Sequence, residues 1–270
     1  MTANGTSVQN PRLNPGSRPS RRVHTPQSQG TSIVGVLTQV LGDIAGGRVL
    51  DVATGEGGFV GILIENLKNY TDITGIDASG RAIETARSTF DQENVHFMQM
   101  DAEHLDFEDQ SFDTVNISAS LHHLANVPQV LAEMERVLKS GGHLIITEML
   151  RDGQTEPQLI AVRIHHWAAE VDSALGVIHN RTLARQELVD LVKGLGLCNV
   201  KLYDVVDTDS DPMDEAMVKQ VKGYMDRFVQ RARGLPNCKT LEQRGEELCR
   251  WLHEVGVQRE PVIIIVGEKQ

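Results

Sequence analysis

The run Val49-Leu50-Asp51-Val52-Ala53-Thr54-Gly55-Glu56-Gly57-Gly58, followed further on by Gly75-Ile76-Asp77, decides the fold. An apolar stretch breaks into a glycine-rich turn, a helical pattern follows, and a second short strand ends in a carboxylate. This is the order of a strand–turn–helix–strand unit, which brings a ligand's backbone against glycines and its ribose against an acid. Glycine suits the turn because a Cβ there would obstruct both the sharp bend and the close approach. Asp77 is placed to accept both hydroxyls of a ribose.

Two ligand classes fit this unit, dinucleotides and S-adenosylmethionine, and two residues separate them. A dinucleotide fingerprint asks for a small residue three positions after Gly57, where this chain has Val60. Asp51, at the tip of the first strand, would repel a pyrophosphate resting on the helix start. At ~6 Å and an effective dielectric of about 20, two like charges cost roughly 3 kcal/mol. The methionine end of S-adenosylmethionine carries an ammonium and a sulfonium, so the same acid attracts it. Asp51 therefore favours S-adenosylmethionine.

Further motifs recur in order: Met98-Gln99-Met100-Asp101-Ala102-Glu103, Phe112-Asp113-Thr114-Val115-Asn116-Ile117-Ser118, Leu121-His122-His123-Leu124 and Glu135-Arg136-Val137-Leu138-Lys139-Ser140-Gly141-Gly142. With them the chain resembles the class I S-adenosylmethionine-dependent methyltransferases, in the broad group that includes the ubiquinone/menaquinone methyltransferases. The resemblance spans roughly residues 45 to 150. It implies that Asp51, Ala53, Thr54, Gly55 and Gly57 surround the methionine moiety and that Asp77 with Ala78 meets the ribose. It implies further that Met100, Asp101 and Ala102 hold the adenine and that Ser118 lies below the sulfonium. S-adenosylhomocysteine would be the product. Ala53 stands where that family often has glycine, and Ser140 where it often has proline. Taken singly, Asp77 and Asp101 also read as caps of a helix or turn; three acids at successive strand tips, on the edge where ligands bind, carry the cofactor reading.

The surrounding pattern is α/β. Strands at 48–53, 72–77, 95–100, 112–117 and 143–149 alternate with helical stretches at 32–44, 58–67, 82–90 and 127–138. In the last of these Val127, Val130, Leu131, Met134, Val137 and Leu138 form an i, i+3, i+4, i+7 stripe, with Pro128 in the first turn. A Rossmann-like, doubly wound, mostly parallel seven-stranded sheet follows, closed by a helix near 184–194 and strands near 198–206 and 262–266. Two helical additions interrupt the closing elements, at about 157–180 and 212–256. Topology predicts that they form a partial cap over the acceptor pocket, or that their apolar stripes meet each other or a second subunit, giving a possible homodimer. Residues 1–30 read as a disordered tail and 31–270 as one methyltransferase domain.

The chain has 270 residues, 40% hydrophobic and 4% aromatic, enough for one α/β domain with additions. Residues 1–30 hold Arg12, Arg18, Arg21 and Arg22 and no acid, so the rest carries −15 of a net −11. A body this acidic is a poor match for nucleic acid or an anionic membrane. No stretch is long and apolar enough for a membrane span, and Cys198, Cys238 and Cys249 lack metal or redox spacing. The expected setting is the cytoplasm, with a small-molecule acceptor as partner.

Methyl transfer from a sulfonium is an in-line displacement with a good leaving group, so alignment can supply much of the rate, up to ~7–11 kcal/mol. A base is needed only where the nucleophile arrives protonated. The candidates are His122 and His123 after the fourth strand, Glu148 at the end of the fifth, and His165 or His166 on the first addition. Asp207-Thr208-Asp209-Ser210-Asp211 begins like a calcium loop, but Pro212 and Val218 occupy its glycine and glutamate positions. His122-His123, His165-His166 and His179 are too scattered in spacing to read as a metal site, and no metal is expected. The expected activity is methyl transfer to a small, largely apolar metabolite. The alternatives are a rearrangement or cyclisation on the same fold, or a cofactor-binding protein whose added helices serve a partner.

Overall fold

The computed structural model describes residues 27–29 and 32–270. Most of the expected tail therefore lies outside the described residues. The three described residues within it form a strand, β1 (Gln27–Gln29), which runs parallel to Asp204–Val206. The tail reading stopped short of this pairing because the signal is not local: three polar residues satisfy a sheet edge that would otherwise expose its backbone groups.

From there the chain alternates as expected. Helix α1 (Ile33–Gly42) leads to β2 (Ala45–Val52), α2 (Gly58–Asn66), β3 (Lys68–Asp77), α3 (Gly80–Thr89), β4 (Val95–Gln99) and β5 (Phe112–Ser118). A single 3-10 turn (Leu121–His123) precedes α4 (Val127–Val137) and β6 (Leu138–Met149). Then come α5 (Glu156–Ala174), α6 (Arg185–Lys193), β7 (Leu197–Val206), α7 (Glu215–Ala232), α8 (Cys238–Val255) and β8 (Val262–Lys269). The sheet order is β1-β7-β8-β6-β5-β2-β3-β4, and only β8 runs antiparallel to its neighbours. The seven-stranded sheet is thus β2 to β8, with β1 as an eighth strand on the edge.

Period-two alternation sends successive side chains to opposite faces, and both faces are buried. Leu50, Val52, Leu144, Ile146, Ile263 and Ile265 pack with α4 and α6; Val49, Ile145, Ile264 and Val266 pack with α1, α2 and α3. Caps set the helix starts: the Ser32 hydroxyl accepts from the Gly35 N–H at 3.2 Å, and Asn126 accepts from the Gln129 N–H at 3.3 Å.

The additions make a third core of their own. Helices α5, α7 and α8 bury Ile160, Ile164, Trp167, Val171, Met225, Phe228, Leu241 and Leu252 against one another. Trp167 is fully buried and donates its indole N–H to the Leu241 carbonyl at 2.9 Å. Gly245 lets α8 approach the indole, since a Cβ there would lie 2.9 Å from Trp167 Cζ2. The stripes on these helices are therefore met within the chain. Among the described residues no helix is long and apolar enough to cross a membrane.

Candidate functional site

The turn after β2 is held from beneath. Asp51 is 1% exposed, and its carboxylate accepts from the Thr54 hydroxyl at 2.6 Å and from Asn116 Nδ2, the residue beside it on β5. Burial pushes the Asp51 carboxyl up to about 6, against the two hydrogen bonds that lower it. Asp51 and Thr54, expected at the cofactor, line neither of the cavities described below and brace the turn from beneath. Ala53 sits at φ +54°, a left-handed conformation that glycine adopts at less cost than alanine. Gly57, at φ +85°, starts α2 and leaves room for Phe90, which a Cβ would meet at 2.6 Å.

A cleft of about 670 Å³ opens over the tips of β3 and β4. It is lined by Ala53, Asp77, Ala78, Met100, Asp101 and Ala102, six of the expected cofactor residues, and faced by His123, Leu124 and Ile178. The Asp77 carboxylate accepts from the Gly55 N–H at 2.9 Å and from the Ser79 N–H at 2.8 Å. Each oxygen keeps a second acceptor site for a ribose hydroxyl. Asp101 accepts from the Glu103 N–H at 2.9 Å on one oxygen, has His104 Nδ1 at 3.8 Å from the other, and lines the cleft. Ser79, not Asp77, caps α3, its hydroxyl accepting from the Ala82 N–H at 3.2 Å, while Asp77 bonds the N–H of that cap residue and Asp101 closes a turn on Glu103. Carboxylates at two strand tips, with small residues between them, fit an adenosine.

A second cavity, of about 760 Å³, lies on the other side of the β2 tip. Ile33, Val34, Leu37, Phe59, Ile62 and Met149 give it apolar walls, and Ser118, Thr147 and Glu148 form its polar floor. Ser118, expected beside the cofactor residues, belongs to this cavity. Ala119, next to it, is also left-handed at φ +47°, and the Ser120 hydroxyl ties this bend to the Ala53 carbonyl at 3.3 Å. Thr147 Oγ1 is buried without a hydrogen-bond partner. The added helices do not form the partial cap expected of them, since no residue of α5, α7 or α8 lines either cavity; only the loops beside them bring Asp207, Thr208, Asp209, Arg259 and Glu260 to the rim. Asp207 accepts from Ser210 and Asp209, a turn closed on itself.

The candidate bases fall in three places. Glu148 is 1% exposed and accepts from the Leu121 N–H at 2.8 Å and the Met149 N–H at 3.0 Å. His122, buried beside it, faces it through Nδ1 at 3.1 Å. His165 meets His179, Nε2 to Nε2, at 3.1 Å, and His179 Nδ1 meets Asp172 at 2.7 Å. His166 points elsewhere, to the Thr182 hydroxyl at 3.0 Å. Burial, then the neighbouring imidazoles, hold His123 down at about 4 and His165 at about 3; burial, then Arg181, holds His166 at about 4. Sequence reasoning missed Asn116, Thr147 and the meeting of His179 with His122 and His165. A polar Asn116 between Val115 and Ile117 was a readable signal; the histidine meeting left none.

A methyltransferase-domain family model matches residues 50–146. Phthiotriol/phenolphthiotriol dimycocerosates methyltransferase of Mycobacterium leprae is 31% identical over 172 residues, 63% of this chain and 57% of that protein. Demethylmenaquinone methyltransferase of Thermotoga maritima is 36% identical over 103 residues, 38% of this chain and 44% of that protein. The chain thus spans about half the length of these curated relatives. A solved structure of a candidate methyltransferase from Bacillus halodurans superposes with a TM-score of 0.60, over 88% of this chain and 99% of that one. At 17% identity this likeness concerns the fold.

Proposed function

We propose, from the premise that residues 50–146 are a class I methyltransferase domain, that this chain transfers a methyl group from S-adenosylmethionine to a small, largely apolar metabolite. The cofactor would supply an electrophilic methyl on a sulfonium, leaving S-adenosylhomocysteine. Asp77 would take the ribose hydroxyls on its remaining lone pairs, and Asp101 with Ala102 the adenine edge, with Met100 and Ala78 beside them. Asp51 adds a negative field under the turn, which attracts the ammonium of the methionine end.

The single observation that carries the acceptor reading is the second cavity, apolar on its walls and reaching the strand tips next to the cleft. Aliphatic walls bury an apolar acceptor, and the unpartnered Thr147 hydroxyl with Ser118 gives it a polar end to orient. Relatives named for demethylmenaquinone and for phthiotriol dimycocerosates support such an acceptor. Glu148 stands on the cavity floor and is the base for an acceptor that arrives protonated.

Calorimetric titration with S-adenosylhomocysteine, S-adenosylmethionine and NAD tests the cofactor, and a screen of quinone, phenol and lipid acceptors tests the transfer. Binding of the first two and none of NAD, with a methylated product, is the expected result. NAD binding alone sinks the reading.

A further inference from the structure

Four histidines from three separate segments converge behind the wall of the cleft. His122 and His123 lie on the 3-10 turn, His165 on α5, and His179 in the loop that follows α5. Ring centroids lie 4.3 Å apart for His122–His123, 4.2 Å for His123–His179, 4.9 Å for His122–His165 and 4.8 Å for His165–His179. One ring nitrogen each from His122, His123 and His179 falls within 4.8 Å of the others, and His165 Nε2 is 3.1 Å from His179 Nε2. Nitrogens at the corners of a tetrahedron with Zn–N bonds of about 2.0–2.1 Å stand about 3.3 Å apart.

The far side of three of these rings is already anchored. His179 Nδ1 meets Asp172 Oδ2 at 2.7 Å, and Asp172 is held in turn by Arg231 at 2.5 Å. His122 Nδ1 meets Glu148 Oε1 at 3.1 Å, and His123 hydrogen-bonds to the Ile178 carbonyl. A carboxylate or carbonyl that takes one ring N–H fixes the tautomer and presents the other nitrogen's lone pair, the arrangement found around metal-bound imidazoles. His165 Nε2 and His179 Nε2 share one hydrogen bond, which a cation between them would replace.

We propose that His122, His123, His165 and His179 form a binding site for one divalent transition-metal cation of the zinc class, with Asp172 and Glu148 as positioning residues. An all-imidazole donor set suits zinc, cobalt, nickel or copper and disfavours calcium and magnesium, which prefer oxygen. The cation would tie α5 and the 175–183 loop to the 3-10 turn. His123, Leu124 and Ile178 also face the cleft, so the site braces that wall. The loop is already joined there by the Asn180 N–H to the His122 carbonyl at 2.7 Å and Asn180 Nδ2 to the Leu124 carbonyl at 3.0 Å.

The test uses the untagged full chain, stripped with a chelator and returned to buffer. Zinc titrated in competition with a chromophoric chelator should fill one tight site per chain. Cobalt in its place should give the strong visible bands of a four-coordinate nitrogen site. His165→Ala and His179→Ala, checked for helix content by circular dichroism, should each weaken zinc binding by about tenfold or more, and Asp172→Asn by about 10–100-fold. His166→Ala, whose ring meets Thr182, should leave the stoichiometry unchanged. A chain that takes up no stoichiometric zinc or cobalt overturns the proposal. So does a folded His165→Ala/His179→Ala double variant that binds zinc as tightly as the parent. Where a variant fails to fold, the cobalt spectrum of the unaltered chain decides. S-adenosylhomocysteine titrated into the same samples separates the two proposals: zinc uptake without its binding sinks the function alone, and its binding without zinc uptake sinks the metal site alone.

Discussion

The edge of the sheet over β2, β5 and β6 and the three-helix unit of α5, α7 and α8 are built in opposite ways. The edge holds two left-handed alanines, Ala53 and Ala119, a fully buried carboxyl at Asp51 and an unpartnered hydroxyl at Thr147. The helical unit holds a fully buried tryptophan whose one polar atom is satisfied, with helix faces matched around it. Two left-handed alanines and an orphaned hydroxyl sit at the strand tips beside the cavities, and close aromatic packing holds the seam between the three helices. The contrast implies that the two regions respond to substitution with opposite signs.

The largest effect is expected in the helical unit. Trp167→Ala should destabilise the chain by about 3–5 kcal/mol through the cavity it leaves. Affinity for S-adenosylhomocysteine should change little in the protein that remains folded. Denaturant unfolding and calorimetry on one preparation check both; a loss of affinity without a loss of stability would break the contrast.

Asp51→Asn should do the reverse, because the Thr54 hydroxyl is able to accept from the new amide. The folded chain should gain up to about 3 kcal/mol at neutral pH, as the carboxyl is raised from 3.8 to about 6. S-adenosylmethionine affinity should fall by about tenfold or more as the attraction is lost. The sign follows from proton counts. Well below pH 3.8 both the folded and the unfolded chain keep this proton. Between about 4 and about 6 only the unfolded chain releases it, so this residue lowers folded stability as pH rises through that window, and its contribution is flat above. Melting curves across that window should slope less in Asp51→Asn than in the parent. Equal slopes would mean that Asp51 is not the group titrating there.

Ala53→Gly should stabilise by about 0.5–1 kcal/mol, since relief of the left-handed alanine outweighs the added freedom of the unfolded glycine. A measured destabilisation would remove strain from the account of this edge. Thr147→Val should stabilise by up to about 1 kcal/mol, because it removes a buried hydroxyl that has no partner. It should also weaken acceptor binding in the transfer assay.

Much of this contrast was legible beforehand, unevenly. The turn at Val52–Gly58, the acids Asp77 and Asp101 and the boundaries of the helices came from patterns a few residues long, and the structure places six expected cofactor residues along one cleft. Ser118 stands at the tip of β5, where the sequence puts it, but lines the neighbouring cavity and not the cleft. The stripes on α7 and α8 were visible as helix faces, yet what covers them was open, since an apolar stripe specifies burial and not a partner.

The sequence by itself determined the order of strands and helices, the buried face of each, and the ribbon of glycines and acids along one sheet edge. Those are properties of period, turn chemistry and strand ends, all set by neighbours in the chain. Only the tertiary structure decided that Asn116 lies beside Asp51 and that α5, α7 and α8 cover one another. It alone brought His122, His123, His165 and His179 together, with Asp172 and Glu148 behind them. Those contacts join residues far apart in the chain, and their geometry follows from how whole elements pack, which no local pattern encodes.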